Sequence, residues 1–302
     1  MTPPPPPPRH LPFLDAAPYR MAMGLRALAP AEWIELDAGW AADVAEKERL
    51  LAERPHEVVG AVPGSEEAAA EARDLLLAHL TEHHAALFRR DGAVLHGPQG
   101  RSWRLDEPGV APLDAAGRWV QEDLCLMERG AEGWVLTAAS LCFPNRWRLA
   151  DKLGRAMAAI HVPVPGYADR LGVPVDRFFD RLAADRAVWR TNWGIQADAR
   201  RFQPTGHGGV EGTDVTPATA PDRLVLRVER QTLRRLPRSG ALLFGIRTHI
   251  HPLRAVVRDA ATAAALAEAV RALPPEMAAY KSMTGFRDAL LAWLDGAAQS
   301  MR

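Results

Sequence analysis

WVQEDLCLMERGAEGWVLTAASLCF, residues 119–143, reads as two strands folded about Gly130-Ala131-Glu132-Gly133. Valine, leucine, threonine and tryptophan suit a pleated, half-buried surface, and glycines accept the backbone angles of a tight hairpin. The predicted strands are 119–128 and 134–143. In the first, Leu124 and Leu126 share one face, while Asp123, Cys125 and Met127 share the other, because strand side chains alternate. Working outward, residues 223–232 and 241–250 form a second predicted pair, joined through Pro237-Arg238-Ser239-Gly240. Between the pairs, 145–157 reads as helical, and Pro163, Pro165 and Gly166 then break the chain. A helix is predicted from Asp176, with Phe178, Leu182 and Trp189 along one side. Residues 201–222, rich in Gly, Thr and Pro, read as a loop. Two closing helices are predicted at 259–272 and 284–296.

Upstream, short strands at 93–95 and 103–105 flank Gly97-Pro98-Gln99-Gly100. Before them a helix is expected at 41–54. Another runs to His83, with Ser65 as its N-cap and Ala69, Ala72, Leu76 and Leu80 on one apolar face. Antiparallel pairs separated by helices make the chain α+β rather than a parallel βαβ fold. No GxGxxG or GxxxxGK[ST] motif follows a strand, so no phosphate cradle of those kinds is indicated. The expected organisation is a disordered proline-rich tail (1–17), an N-terminal helical region (18–90), a sheet-bearing core (91–255) and C-terminal helices (256–302).

The 302 residues carry 37 basic and 37 acidic side chains, for a formal net charge of zero. That argues against a dedicated nucleic-acid binder, which needs excess positive charge to displace counterions. Cys125 and Cys142 are far apart and form no CxxC motif, so neither a zinc knuckle nor an iron–sulfur cluster is expected. No apolar run is long enough for a membrane span. The start, with Pro3 to Pro8 in a row, lacks the pattern of a secretory signal. The expected location is the cytoplasm.

Several residues could carry chemistry. His161 lies where a helix gives way to a proline-rich loop, among Met157, Ala158, Ala159, Ile160 and Val162. Such a histidine is either a core residue bonded to a carbonyl or an iron ligand, and burial favours the neutral form that binds metal. His249 and His251, two apart on a strand, face the same way and could bind metal, but no third ligand is evident. His79 and His83 stand at i and i+4 on a helix without the glutamate of HExxH, which reads as a solvated face. Arg227, Glu229 and Gln231 share one strand face, with Arg230 opposite. That face is either a ladder of ion pairs with arginines such as Arg247, or a pocket wall.

The segments PYRMAMGL (18–25), QEDLCLM (121–127), FPNRWRLADKLGRAMAAIHVPVPGY (143–167), RTNWGI (190–195), RVERQTLRRLP (227–237) and FGIRTHIHPL (244–253) together resemble the haem-dependent oxidative N-demethylase alpha-subunit family. His249 departs from the family pattern, where the position after Arg-Thr is aromatic. The resemblance implies haem b held in a PAS-like antiparallel sheet with flanking helices. It implies oxidative removal of a methyl group from a small secondary amine such as dimethylamine, using O2 and releasing formaldehyde. It also implies a separate reductase subunit with flavin and an iron–sulfur centre, and a tetrahydrofolate-binding partner. On this reading His161 is the first candidate for the axial metal ligand, ahead of His249 and His251. Arg146, Arg155, Arg190 and Arg247 are candidates for the propionates, and Trp193 for core packing or porphyrin contact. Glu229 would hold the amine, with Tyr167 and Asn192 donating to bound O2 or the haem edge. Two other classes stay open: a haem-based PAS-type gas sensor and a haem-free scaffold.

Overall fold

The computed structural model describes residues 8–15 and 21–301. Most of the expected tail, including Pro3 to Pro7, and the Pro18–Arg20 part of one motif lie outside them. Residues 8–15 are folded rather than extended. Pro12–Leu14 make a single 3-10 turn, and Phe13 is buried edge-on against Trp193 at 6.0 Å. An aromatic residue three positions after His10 supplies the apolar area that a polyproline stretch lacks.

A short strand β1 (Arg26–Leu28) precedes helix α1 (Trp40–Glu53). A single turn α2 (Pro55–Val58) leads into β2 (Val59–Ala61), and α3 spans Glu66–His83. The apolar face Ala69, Ala72, Leu76 and Leu80 is buried as expected. Ser65 occupies the N-cap of α3 but makes no capping bond; its hydroxyl donates to the Val62 carbonyl at 2.8 Å. Strands β3 (Arg89–Asp91), β4 (Val94–His96) and β5 (Ser102–Arg104) form a small separate sheet. Helix α4 (Pro112–Gly117) then runs into the hairpin β6 (Asp123–Gly130) and β7 (Gly133–Ser140).

The hairpin turns on two residues, Ala131 and Glu132, with Gly130 paired to Gly133, whose φ is +118°. It is shorter than predicted, because residues 118–122 belong to the turn after α4. At that turn a Cβ on Gly117 would lie 2.1 Å from the Ser140 hydroxyl, so only glycine lets α4 approach the sheet this closely.

The stretch 145–156, read as helical, is mostly turns with one 3-10 turn at Leu149–Asp151. Tertiary bonds outcompete the local propensity. Gly154 donates to the Leu136 carbonyl and Leu136 donates to the Arg155 carbonyl, so this stretch runs along β7. Arg146 and Gly154 turn the chain with φ of +59° and +75°. Only α5 (Met157–Ile160) is helical before a π-turn at Ala168–Gly172 and α6 (Val173–Arg181). Trp189 is not on that helix but in β8 (Ala187–Gln196).

A helical turn α7 (Ala220–Arg223) precedes β9 (Val225–Arg235) and β10 (Leu242–Pro252), which form the predicted second pair. The chain ends with α8 (Leu253–Val256), α9 (Ala260–Arg271), α10 (Pro275–Tyr280) and α11 (Arg287–Ser300). The large sheet has seven antiparallel strands in the order β1-β8-β9-β10-β6-β7-β2. Its central five strands, with short helices between β7 and β8, are consistent with the expected PAS-like α+β fold.

Register assigns the two faces. Asn192 lies opposite Glu229 and Thr248 opposite Glu229, so these share one face with Arg190, Arg227, Gln231, Leu233, Phe244 and Ile246. The segment 144–182 covers this front face, burying Ile160, Phe179 and Leu182 against Leu233, Cys125 and Ile246. The back face carries Arg230, Arg247, His249 and His251. Part of it packs under α3 and α4, and part under α9 and α11.

Candidate functional site

The front face joins an apolar half to a cationic half. On the apolar side, Met157 and Ile160 from α5 and Phe178 from α6 pack towards Leu233, Phe244 and Ile246. His161 caps α5, and its Nδ1 lies 2.9 Å from the Met157 carbonyl one turn back. That bond places the proton on Nδ1 and leaves Nε2 a bare lone pair. Among the described residues no hydrogen bond reaches Nε2. The ring stacks on Tyr167 at 4.3 Å and 14°. Burial pushes His161 down to about 4, so the ring is neutral near pH 7.

Glu229 is the carboxylate of the polar half and is 7% exposed. Its Oε2 accepts from Asn192 at 3.3 Å and from Gln231 at 3.1 Å, while among the described residues Oε1 has only Arg227 Nε at 3.7 Å. Several cations surround it. Arg190, on the neighbouring strand, has a buried Nε with no hydrogen-bond partner and no ion pair among the described residues. Lys281 donates to the Trp193 carbonyl at 2.6 Å and to Asn192 at 3.4 Å. Lys152 stands over the Trp147 ring at 4.1 Å. Burial draws both lysines down to about 8, with Glu229 acting in the other direction on each. His207 and Tyr280 close the group, stacked at 4.1 Å with Oη 3.1 Å from Nε2. Burial pushes Tyr280 up to about 12 and His207 down to about 4. A face with one carboxylate and several underpaired cations is complementary to an anion.

The structure thus brings together His161, Tyr167, Arg190, Asn192 and Glu229. It places other candidates elsewhere. Arg155 is exposed and donates to the Asp151 carbonyl. Arg146 is buried near the cations but is already held by Glu211 at 2.6 Å. Arg247 is on the back face, paired with Asp37 and Asp43, so it is neither in a ladder with Glu229 nor on the His161 side. Trp193 also points to the back face and packs against Phe13. His79, read as solvated, is buried edge-on to Trp33 at 5.0 Å. Sequence reasoning missed Lys152, Lys281, His207 and Tyr280 as site residues. A signal existed: only Lys47, Lys152 and Lys281 are lysines in a chain that otherwise uses arginine.

A family model described as haem-dependent oxidative N-demethylase, alpha subunit-like, matches residues 24–291. The chain belongs to that family. The match covers the whole large sheet and both of its faces, so the His161 side is part of the family fold rather than an appendage. Among the described residues of this family member, no helix is long and apolar enough to cross a membrane.

An open cleft beside α1 is a separate feature. It holds about 980 Å³ and is lined by both signs of charge, including Arg49, Arg54, Asp198 and Asp214. Its acids and bases pair with each other, as Arg223 does with Asp214 at 2.9 Å, and it lacks the unpaired cations of the front face.

Proposed function

We propose that this chain is the haem-binding, catalytic subunit of an oxidative N-demethylase acting on a small secondary amine. The observation that carries the proposal is His161, whose Nδ1 is fixed by the Met157 carbonyl and whose Nε2 is left free. The residues present fit haem b. The apolar half suits a porphyrin, and the unpartnered Arg190 with Lys152 and Lys281 suits two propionates. His161 would supply the axial ligand.

When bound, haem iron would supply O2 activation, removing a methyl group from nitrogen as formaldehyde with two electrons and two protons taken up and one water formed. The chain's own residues do the rest. Glu229 Oε1 has spare acceptor capacity and would hold the amine N–H. Asn192 and Gln231 fix that carboxylate by donating to Oε2. Tyr167 covers one face of the His161 ring, and its protonated phenol is a hydrogen donor at neutral pH. Ile160, Phe244 and Ile246 exclude water. The electrons would come from a separate flavin and iron–sulfur reductase subunit, and formaldehyde would pass to a tetrahydrofolate-binding subunit. An alpha-subunit family name fits such an assembly.

The test is the visible spectrum of the purified chain, followed by formaldehyde release from a panel of methylated amines with an electron donor. A Soret band and amine-dependent formaldehyde support the proposal. Ligand binding without turnover would leave a sensor, and a colourless chain a scaffold. Glu229→Gln is expected to raise KM for the amine about tenfold or more with the Soret band unchanged, since it removes a charge-assisted bond worth about 1.5–3 kcal/mol.

Haem affinity is expected to fall as pH rises through about 8, where Lys152 and Lys281 lose their charge. A bound carboxylate favours the charged lysine, so each lysine contributes up to about a tenfold loss per pH unit above that point. Haem transfer titrations between pH 7 and 10 would read this. The stability of the haem-free fold has the opposite sign. An ordinary lysine titrates near 10.5, so between about 8 and 10.5 the unfolded chain binds more protons and stability rises with pH.

A further inference from the structure

The back face gives His249, though not His251, the partner donors that the sequence did not reveal. Glu35, in the segment before α1, is 7% exposed and points at His249. Its Oε2 is 3.2 Å from His249 Nε2, and its carboxylate is 3.0 and 3.1 Å from His10 Nε2. The three donor atoms all lie within 4.8 Å of one another. Two ligands each about 2.1 Å from one ion sit about 3 Å apart in an octahedron and about 3.4 Å apart in a tetrahedron, so the two glutamate–histidine separations match edges of a coordination shell. The donors come from three separate segments: the strap 8–15, the segment before α1, and strand β10.

The surroundings hold the donors in place. The Glu35 backbone N–H donates to Glu122 Oε1 at 2.9 Å, which fixes the residue at its root. Arg230 Nε approaches Glu35 Oε1 at 3.2 Å, while its Nη groups are held by the Glu32 and Trp33 carbonyls, so it acts as an outer partner that orients the carboxylate. Arg9 is the competing cation, 3.5 Å from Oε1, but its side chain is 63% exposed and free to swing out.

We propose that His10, Glu35 and His249 form a binding site for a divalent transition-metal ion of the zinc class, clasping the strap 8–15 to the sheet. Two imidazoles and a carboxylate are the donor set such ions take, and three protein ligands leave a position for water. The site lies on the opposite face from His161 and stands independently of the haem reading.

The test is isothermal titration of the full chain with zinc after chelator treatment, with haem content followed separately by absorbance. One zinc per chain at micromolar or tighter affinity is expected, together with a rise in Tm. His10→Ala removes a ligand at the margin of the fold and is expected to weaken binding at least about tenfold and abolish the Tm rise. Glu35→Gln, which keeps the shape and loses the charge, should do the same. Zinc uptake unchanged by His10→Ala, or no uptake at millimolar zinc, overturns the proposal.

Discussion

Replacing His161 with alanine is expected to give a folded but colourless chain, with the haem-to-chain ratio falling from near one to near zero. Folding survives because the ring contributes little to the core. It caps a four-residue helix, its neighbour Val162 is 80% exposed, and its one hydrogen bond goes to a carbonyl in its own turn. What is lost is the fixed ring with a free nitrogen lone pair that stands beside the apolar half of the front face. Imidazole added to the buffer should restore part of the absorbance by filling the vacated place. His249→Ala and His251→Ala provide the contrast, since both rings are on the back face and should leave the haem content unchanged. Far-UV circular dichroism, visible absorbance and iron analysis on the three variants decide the matter. Full haem loading in His161→Ala removes the assignment.

The second large effect concerns stability. Asp123 is fully buried at the start of β6, and its two oxygens accept the backbone N–H groups of Cys142 and Phe143, each at 2.8 Å. The Lys47 ammonium, also fully buried, lies 3.7 Å away and donates to the Val120 and Glu122 carbonyls. Asp123→Ala leaves two amides without their acceptor and a buried ammonium without its counter-charge. Breaking such a pair costs about 3–5 kcal/mol. A loss of unfolding free energy of that size, read from urea titration, is expected, and a loss below about 1 kcal/mol would sink the account. The double substitution Lys47→Met, Asp123→Asn removes both charges and keeps an acceptor for the backbone, so it is expected to recover part of the loss. The same aspartate anchors the chain just before residues 144–161, so partial damage here should also reduce haem retention.

Much of the fold was legible because its signals are local. The glycines around Ala131-Glu132 and the two-residue alternation of Leu124 and Leu126 announce the hairpin, and the spacing of Ala69, Ala72, Leu76 and Leu80 announces α3. Where tertiary bonds overrule propensity, the reading failed. Residues 145–156 have helix-forming composition but are claimed by Leu136 in β7. Trp189 happens to continue the helical spacing of Phe178 and Leu182, which concealed β8. The site was half legible for a similar reason. Glu229 and Gln231 share a face by alternation alone, but whether Arg247 joins them depends on register. Thr248, not Arg247, lies opposite Glu229, and a difference of one residue puts Arg247 on the other side. Lys281 follows α10, some fifty residues downstream of Glu229, and no local pattern connects the two.

Glu229 and Arg230 are consecutive residues of β9, yet one faces the His161 side and the other orients Glu35 on the reverse. The same holds for Thr248 and His249 in β10. One inserted or deleted residue in either strand would exchange the two sets of side chains wholesale, which no single substitution can do. The length of these strands is therefore a stricter requirement than the identity of any one side chain on them. An added or removed residue costs far less in exposed stretches such as 208–210, where neither face is read.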